Sequence, residues 1–239
     1  MIPLRCAMES TSVVLLLLAL QLWGVNAHAQ VYEKTIIPAG DSISKHYSYL
    51  FPSFKTAVVK MRDGKSSVYP INFNMLLCDM QFINRKQDTL EITNPEEIDS
   101  ILLDSCSFIY DYKQGYLQIL ASSDAASLAV LRQSTFEPVE MGAMGTPRHS
   151  GGIEMWNSIS NRQGTLPLQV NSEIYAYRNT RFLLIHKSGE TENAGKSAFV
   201  RIYDSDKRSF DAFVKKNRID FNKAEDLVEL LNFCTPSKK

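Results

Sequence analysis

The sequence predicts a mainly β protein of the α+β class: an antiparallel sheet meander with two short C-terminal helices packed on it. Strand-like runs alternate with turn residues from Thr56 to Phe136, at intervals of roughly ten residues, which is typical of antiparallel sheets. Parallel βαβ units would need a helix between successive strands, and no helical pattern interrupts this stretch. After Ser209, apolar residues recur at helical spacing instead.

The predicted strands begin with a hairpin that joins Thr56–Met61 to Ser66–Asn72 through Asp63-Gly64, the strongest two-residue hairpin signal. Pro70 cannot donate a hydrogen bond to a neighbouring strand, so we expect that part of the hairpin at an edge or bulge. The apolar run Tyr69–Phe82 is interpreted as strand, turn and strand that supply core. The later strands are predicted at Cys78–Asn84, Asp88–Thr93, Ile98–Leu103, Ser107–Tyr112, Tyr116–Ala121, Leu128–Phe136, Ser172–Tyr177 and Thr180–His186.

Two helices are predicted to close the chain. The first covers Ser209–Asn217, where Phe210, Phe213 and Val214 lie at helical intervals. The second follows Asn222, which has Glu225 three residues later, the spacing of a capping box. Pro236 is expected to end it, and an apolar face is expected to pack on the sheet.

The first 29 residues have the layout of a secretory signal peptide. Arg5 supplies a positive charge, Val13–Leu20 is an unbroken apolar core, and Ala27-His28-Ala29 fits a small-x-small cleavage site before Gln30. A retained membrane anchor is the alternative, but it needs about 20 apolar residues. We therefore expect export to the periplasm, cell surface or extracellular space, with no transmembrane segment after cleavage.

The predicted organisation has three parts. Residues 1–29 are the signal peptide, 30–204 an antiparallel β domain, and 205–239 the helical pair. Within the β domain, 137–163 is rich in Gly, Pro, Ser and Asn and is expected to be a long irregular loop. Loops of this length tend to be functional or mobile. The candidate interaction residues in it are Met141, Arg148, His149 and Trp156.

Charge and cysteine use narrow the choice of partners and scaffold. The formal net charge is +0, which gives no electrostatic reason to expect nucleic acid, for which a basic patch is the usual indication. Three cysteines follow the predicted cleavage site: Cys78, Cys106 and Cys234. A Cys78–Cys106 disulfide would contribute about 3 kcal/mol by closing its loop. Both residues lie in apolar runs where a free cysteine packs well, and we favour buried thiols.

No residue pattern predicts a catalytic, metal or cofactor site. His46, His149 and His186 are far apart and belong to no metal motif, and His186 is expected to be a hydrogen-bonded structural residue. The acidic residues between Asp88 and Asp104 lack the spacing of a calcium loop and are expected to be solvated. There is no G-x-S-x-G nucleophile motif, and His149-Ser150 is a weak indication of a dyad.

Three stretches carry a resemblance to a known group. They are Tyr49–Phe54 (YLFPSF), Asp63–Phe82 with its Tyr-Pro-x-Asn-Phe-Asn and Met-Gln-Phe, and Phe213–Cys234 at the end of the chain. In these the sequence resembles uncharacterised exported β-rich proteins of Bacteroidota. The resemblance implies a cell-envelope location and assigns no catalytic residue.

Three functions therefore stay open. The first is a non-enzymatic, exported binding or interaction module for an unknown envelope protein or ligand. The second is a hydrolase that acts on envelope polymers through Asp and Glu residues or through His149-Ser150. The third is a structural subunit of a surface assembly. The absence of a catalytic pattern favours the first.

Overall fold

A computed structural model describes residues 30–41, 45–141, 147–148, 173–203 and 207–235. Residues 1–29, the predicted signal peptide, lie outside this range. Within the described residues, eleven strands form one antiparallel sheet, and short helices follow it at the C-terminal end. This confirms the predicted fold class. None of the helices described is both long and apolar enough to cross a bilayer.

Eleven strands of the described residues make up the sheet. They are β1 (Gln30–Ile37), β2 (Lys55–Met61), β3 (Ser66–Asn74), β4 (Asp79–Ile83), β5 (Thr89–Glu91), β6 (Ile98–Leu103), β7 (Cys106–Asp111), β8 (Gly115–Ser122), β9 (Ala126–Pro138), β12 (Ile174–His186) and β13 (Thr191–Asn193). A separate pair consists of β10 (Glu140–Met141) and β11 (Pro147–Arg148). A single helical turn covers Lys45–Ser48 and a 3-10 turn covers Pro95–Glu97.

The strand order is β1-β12-β9-β8-β7-β6-β2-β3-β4-β5, with β13 paired to β12. Two four-stranded meanders, β2 to β5 and β6 to β9, therefore lie side by side and join where β2 pairs β6. β12 is one strand of 13 residues, where the sequence predicts two separate strands. β1 is an addition, because the sequence analysis placed no strand before Thr56. β9 continues to Pro138, so the first residues of the predicted loop are strand.

The predicted hairpin is present between β2 and β3. Gly64 has a φ of +87°, which a residue without Cβ adopts at little cost, and its N–H donates to the Met61 carbonyl over 3.0 Å. β4 pairs with β3 only from Ile71 onward, so Ser66–Pro70 is an edge. Pro70 thus lies where its missing N–H costs no hydrogen bond to a second neighbour.

The sheet has an inner face that carries most of the core. The apolar residues of β2, β3, β4, β6, β7 and β8 on this face, with Met75 of the β3–β4 turn, form the hairpin-side cluster. Its buried members are Ala57, Val59, Ile71, Phe73, Met75, Met80, Ile98, Ile101, Leu103, Phe108 and Tyr116. The run Tyr69–Phe82 thus supplies core, as the sequence predicts. Its turn lies against β9, where the Ser134 N–H donates to the Met75 carbonyl over 2.9 Å.

Three helices follow the sheet: α1 (Lys196–Tyr203), α2 (Lys207–Asn217) and α3 (Ala224–Cys234). The sequence predicts two, and the additional helix α1 lies within the residues assigned to the β domain. Its Val200, Ile202 and Tyr203 are residue types that favour strands, which hides the helix from propensity. Burial of Ala198 and Phe199 against the sheet decides its structure instead.

The predicted capping box before α3 is wrong. Lys223 occupies the N-cap position and makes no side-chain capping bond. Asn222 instead donates to the Asp220 carboxylate from its N–H (2.9 Å) and from Nδ2 (3.1 Å). The chain turns one residue later than expected, because Asp220 accepts the bonds of Asn222.

The helices cover the β8, β9 and β12 part of the inner face and create the helix-side cluster. Its buried residues are Leu128, Val130, Phe182, Leu184, Ala194, Ala198, Phe199, Phe210, Ile219, Leu227, Leu230, Leu231 and Cys234. The apolar faces of α2 and α3 that the sequence predicts are therefore the faces that pack on the sheet.

The opposite, outer face of β3 and β4 is polar but covered. Asn72, Asn74 and Gln81 point there and are buried, because residues 48–50 pair antiparallel beside β3 and the Tyr49 side chain reaches over to Gln81. Asn72 accepts from the Phe51 N–H (3.2 Å) and donates to the Phe51 carbonyl (2.8 Å). Gln81 Oε1 accepts from the Tyr49 hydroxyl over 2.8 Å. These amide bonds add to the main-chain bonds by which residues 48–50 pair beside β3.

Candidate functional site

The candidate residues of the predicted interaction loop are only partly within the described chain. Met141 belongs to β10 and Arg148 to β11, and the two short strands pair antiparallel. His149 and Trp156 lie outside the described residues. The loop as an interaction element stays a prediction.

His186 and the three cysteines that follow the predicted cleavage site lie within the described residues. His186 ends β12, and its Nε2 lies 2.7 Å from Glu192 Oε1, in line with a structural hydrogen bond. Glu192 also accepts from Arg201 of α1, which ties the helix to the sheet. Cys78, Cys106 and Cys234 are all free thiols. No group of three or more His, Cys, Asp or Glu side chains within the described ranges is arranged to hold a metal ion.

A polar interruption of the inner face is the feature that points to a site. Along β9 the residues on this face change from apolar to polar and back to apolar. They are Leu128, Val130, Arg132, Ser134 and Phe136, in that order. The polar pair therefore lies between the helix-side cluster and a smaller apolar cluster around Tyr47.

β12 repeats the pattern beside β9. Phe182 belongs to the helix-side cluster, Thr180 and Arg178 are polar, and Ala176 belongs to the Tyr47 cluster. The register places Thr180 opposite Arg132 and Arg178 opposite Ser134. We call these four residues, Arg132, Ser134, Arg178 and Thr180, the polar band.

Neighbouring elements contact the polar band from two sides. Arg132 donates to Gln118 Oε1 of β8, and Gln118 Nε2 donates to Cys106 Sγ over 3.2 Å. Arg178 Nη2 lies 3.7 Å from Met75 Sδ, in the turn between β3 and β4. The band therefore has walls from the β3–β4 turn and from β8, and both arginines are half-buried.

The two arginines of the band are cations that are partly shielded from water. Burial lowers the pKa of the Arg132 guanidinium; the Cys106 sulfur acts in the opposite direction, and the nearby charge of Arg178 lowers it further. No carboxylate pairs with Arg132 among the residues that the structure describes. Across β1, Glu33 occupies the register position opposite Arg178, so an acidic residue stands near the second arginine only.

Two buried hydroxyls, Ser134 Oγ in the band and the Tyr116 hydroxyl in the hairpin-side cluster, have no hydrogen-bond partner within the described chain. Ser134 is 4% exposed and Tyr116 is 2% exposed, and neither Ser134 Oγ nor the Tyr116 hydroxyl is bonded. A buried polar group without a partner costs about 1–3 kcal/mol. Buried groups of this kind are therefore candidates for contact with a ligand.

A second polar group lies at the other wall, where β4 begins. Burial, with a smaller contribution from Glu91, raises the pKa of the Asp79 carboxyl to about 6. Burial also raises the pKa of the Cys78 thiol to about 11 and, with Asp79, the pKa of the Tyr116 hydroxyl. A protonated thiol is a poor nucleophile, so Cys78 is not suited to covalent catalysis.

Asp79 should make stability fall as the pH rises. Its pKa is raised in the folded state from 3.8 to about 6, so between these values the folded chain binds more protons than the unfolded chain. Asp79→Asn keeps an acceptor for the Met80 N–H and removes the buried charge. At pH 7.5 we expect the variant to be more stable by roughly 1 kcal/mol, a value reduced for partial exposure.

Urea unfolding at pH 4.5 and pH 7.5 measures this effect. The stability difference between Asp79→Asn and wild type should shrink at the lower pH. Asp41→Asn, the same change at an exposed position, is the matched control and should alter stability by less than about 0.5 kcal/mol. Equal differences at both pH values for Asp79→Asn would contradict the assignment.

The sequence analysis did not identify Arg132, Ser134 or Arg178. The signal was present, because Arg132 has the same strand parity as Leu128 and Val130, and Arg178 has that of Phe182. A charge in phase with the core residues of a strand indicates a charged residue on the buried face. That these residues lie side by side needed the pairing of β9 with β12.

Comparisons of the chain with protein-family models, with curated proteins and with solved structures return no match. The site is therefore assigned from geometry and charge alone. The resemblance to exported Bacteroidota proteins stays a prediction.

Proposed function

We propose that this chain is an exported, non-enzymatic binding module that holds its ligand at the polar band. The observation that carries the proposal is the break in an otherwise apolar inner face, where Arg132 lies half-buried without a carboxylate partner in the described chain. Keeping a charged residue on a buried face costs stability unless it is paired. A bound ligand is the partner that offsets this cost.

The chemistry of the band supports binding more than catalysis. Among the residues that the structure describes, no histidine or carboxylate is bonded to Ser134 Oγ as a general base. Arginine stays protonated and does not act as a base. The shifted pKa values of Asp79 and Tyr116 have burial as their largest cause, and no hydrogen bond among the described residues joins either group to a partner as nucleophile and base.

Export is supported by the sequence layout of residues 1–29. Gln30, which follows the predicted cleavage site, is already part of β1. Cleavage before Gln30 would therefore leave the strand that pairs with β12 intact. A periplasmic or cell-surface location follows as part of the proposal.

The test is to purify the protein from its native host without denaturant and to analyse it by mass spectrometry. We expect a mature chain that begins at Gln30 and a small molecule that is released on denaturation. Arg132→Gln should carry at least about tenfold less of that molecule, since the side chain that contacts it is changed.

Arg62→Gln is the matched control. Arg62 is exposed in the β2–β3 turn, far along the sheet from the band, and its variant should carry as much ligand as wild type. The same released molecules in all three samples would contradict binding at the band. A chain that begins at Met1 in the purified protein would contradict cleavage of a signal peptide before Gln30.

A further inference from the structure

We propose that the polar band recognises an oxyanion, the carboxylate or phosphate group of a ligand, through Arg132, Arg178 and Ser134. This rests on the proposed binding function and states which chemical class of ligand fits the site. The hydrogen-bond donors of the band, its charge, the arrangement of its groups and their access to solvent support this ligand class.

The groups that face the band are mostly hydrogen-bond donors. A guanidinium has five N–H donors and no acceptor, and two guanidiniums are present. Ser134 Oγ has an O–H without a partner among the described residues. The carboxamide of Gln118 is already engaged, since its oxygen accepts from Arg132 and its nitrogen donates to Cys106. A ligand group that fits must therefore be an acceptor.

The charge of Arg132 selects an anion among acceptors. Its one hydrogen-bond partner among the described residues, Gln118, is neutral, and Arg178 adds a like charge nearby. Glu33 lies opposite Arg178 in the register of β1 and β12, so the charge that a ligand anion balances is that of Arg132. A negative group beside Arg132 also offsets its repulsion by the like charge of Arg178. Hydrogen bonds between ionised partners are roughly twice as strong as those between neutral ones.

The arrangement suits a group with several oxygen atoms. In the antiparallel register Arg132 and Arg178 are diagonal neighbours, which places their Cβ atoms roughly 7–8 Å apart. Ser134 lies on the same face, directly opposite Arg178. Two planar forks and one hydroxyl can therefore converge on one carboxylate or phosphate, which arginine binds in a bidentate manner.

The members of the band differ in their exposure to solvent. Ser134 is 4% exposed, whereas Arg132 and Arg178 are half-buried and retain contact with solvent. A ligand can therefore reach the guanidiniums first and bring its oxygen atoms to the buried hydroxyl. The apolar clusters on either side are already packed, so recognition depends on charge and hydrogen bonds.

Isothermal titration calorimetry on the protein purified from its native host and dialysed free of small molecules tests the proposal. The probes are inorganic phosphate and acetate, each compared with sodium chloride at equal ionic strength. We expect saturable binding of at least one of them. Arg132→Gln should weaken it by about tenfold to a hundredfold, the loss expected for a hydrogen bond to a charged group.

Three variants accompany Arg132→Gln. Arg132→Lys keeps the charge but lacks the fork, and should bind more weakly than wild type. Ser134→Ala should weaken binding by several-fold. Alanine fits the space of serine, so this variant tests the proposal even if Arg132→Gln has lost the native circular dichroism spectrum. Arg62→Gln should bind as wild type does.

The two probes separate the sources of the oxyanion. Binding of phosphate alone indicates a phosphate ligand, binding of acetate alone a carboxylate, and binding of both their shared chemistry. The proposal is overturned if neither probe binds beyond the chloride control, or if both Ser134→Ala and Arg132→Lys bind as tightly as wild type. If neither probe binds but wild type releases a neutral molecule that Arg132→Gln lacks, the oxyanion is wrong and the binding function stands.

Discussion

Phe210→Ala should lower the free energy of unfolding by about 3–5 kcal/mol. Phe210 lies on α2, is fully buried, and belongs to the helix-side cluster that joins all three helices to β9 and β12. Removal of the ring takes away its burial and leaves a cavity that packed neighbours fill only in part. Urea unfolding followed by circular dichroism measures the loss as a lower midpoint at an unchanged slope.

Phe233→Ala is the matched control, because it makes the same chemical change in the same helical layer. Phe233 lies on α3, is 41% exposed, and stacks on Phe213 with ring centroids 3.9 Å apart. An exposed aromatic pair contributes about 0.5–1.5 kcal/mol beyond its burial, so the loss should be well below that of Phe210→Ala. Equal losses would mean that the helices do not form the core described here.

Asn72→Ala should lower the free energy of unfolding by about 2–4 kcal/mol. The Asn72 carboxamide makes two hydrogen bonds to the main chain of Phe51 and is 1% exposed. Alanine leaves the Phe51 N–H and carbonyl without these partners. We also expect earlier proteolysis of the segment before β2, since two of the bonds that attach it to β3 are lost and only the main-chain bonds of residues 48–50 remain.

Asn217→Ala is the control for Asn72→Ala. Asn217 ends α2, is exposed, and makes one bond from Nδ2 to the Phe213 carbonyl over 3.2 Å. Surface substitutions of this kind usually change stability by less than about 0.5 kcal/mol. A loss for Asn72→Ala as small as for Asn217→Ala would show that residues 48–51 do not depend on the amide for their position.

Particular elements show why part of the structure was predictable. The β2–β3 hairpin depends on Asp63-Gly64 and on the alternation on either side, and both are local. α2 depends on the helical spacing of Phe210, Phe213 and Val214. By contrast, α1 contains residues that favour strands. The start of α3 after Lys223, instead of after Asn222, depends on the bonds that Asn222 donates to the Asp220 carboxylate. Both depend on contacts that the local sequence does not specify.

The candidate site shows the same division more sharply. Arg132 and Arg178 are 46 positions apart in numbering, and each on its own is one charged residue in an apolar strand. Alternation alone indicates that each faces the inner side of its strand. Which residues lie beside it depends on the partner strand and on the register, and a shift of one residue would move Arg178 to the other face.

The sequence by itself determined the fold class, because strand alternation, hairpin turns and helical spacing are properties of neighbouring residues. Only the tertiary structure decided that β9 lies beside β12 and that the β3–β4 turn reaches over them, so that two cations, a sulfur atom and a hydroxyl meet on one face. The physical reason is that pairing between distant strands is selected by the burial of the whole inner face, which no single stretch of the chain encodes.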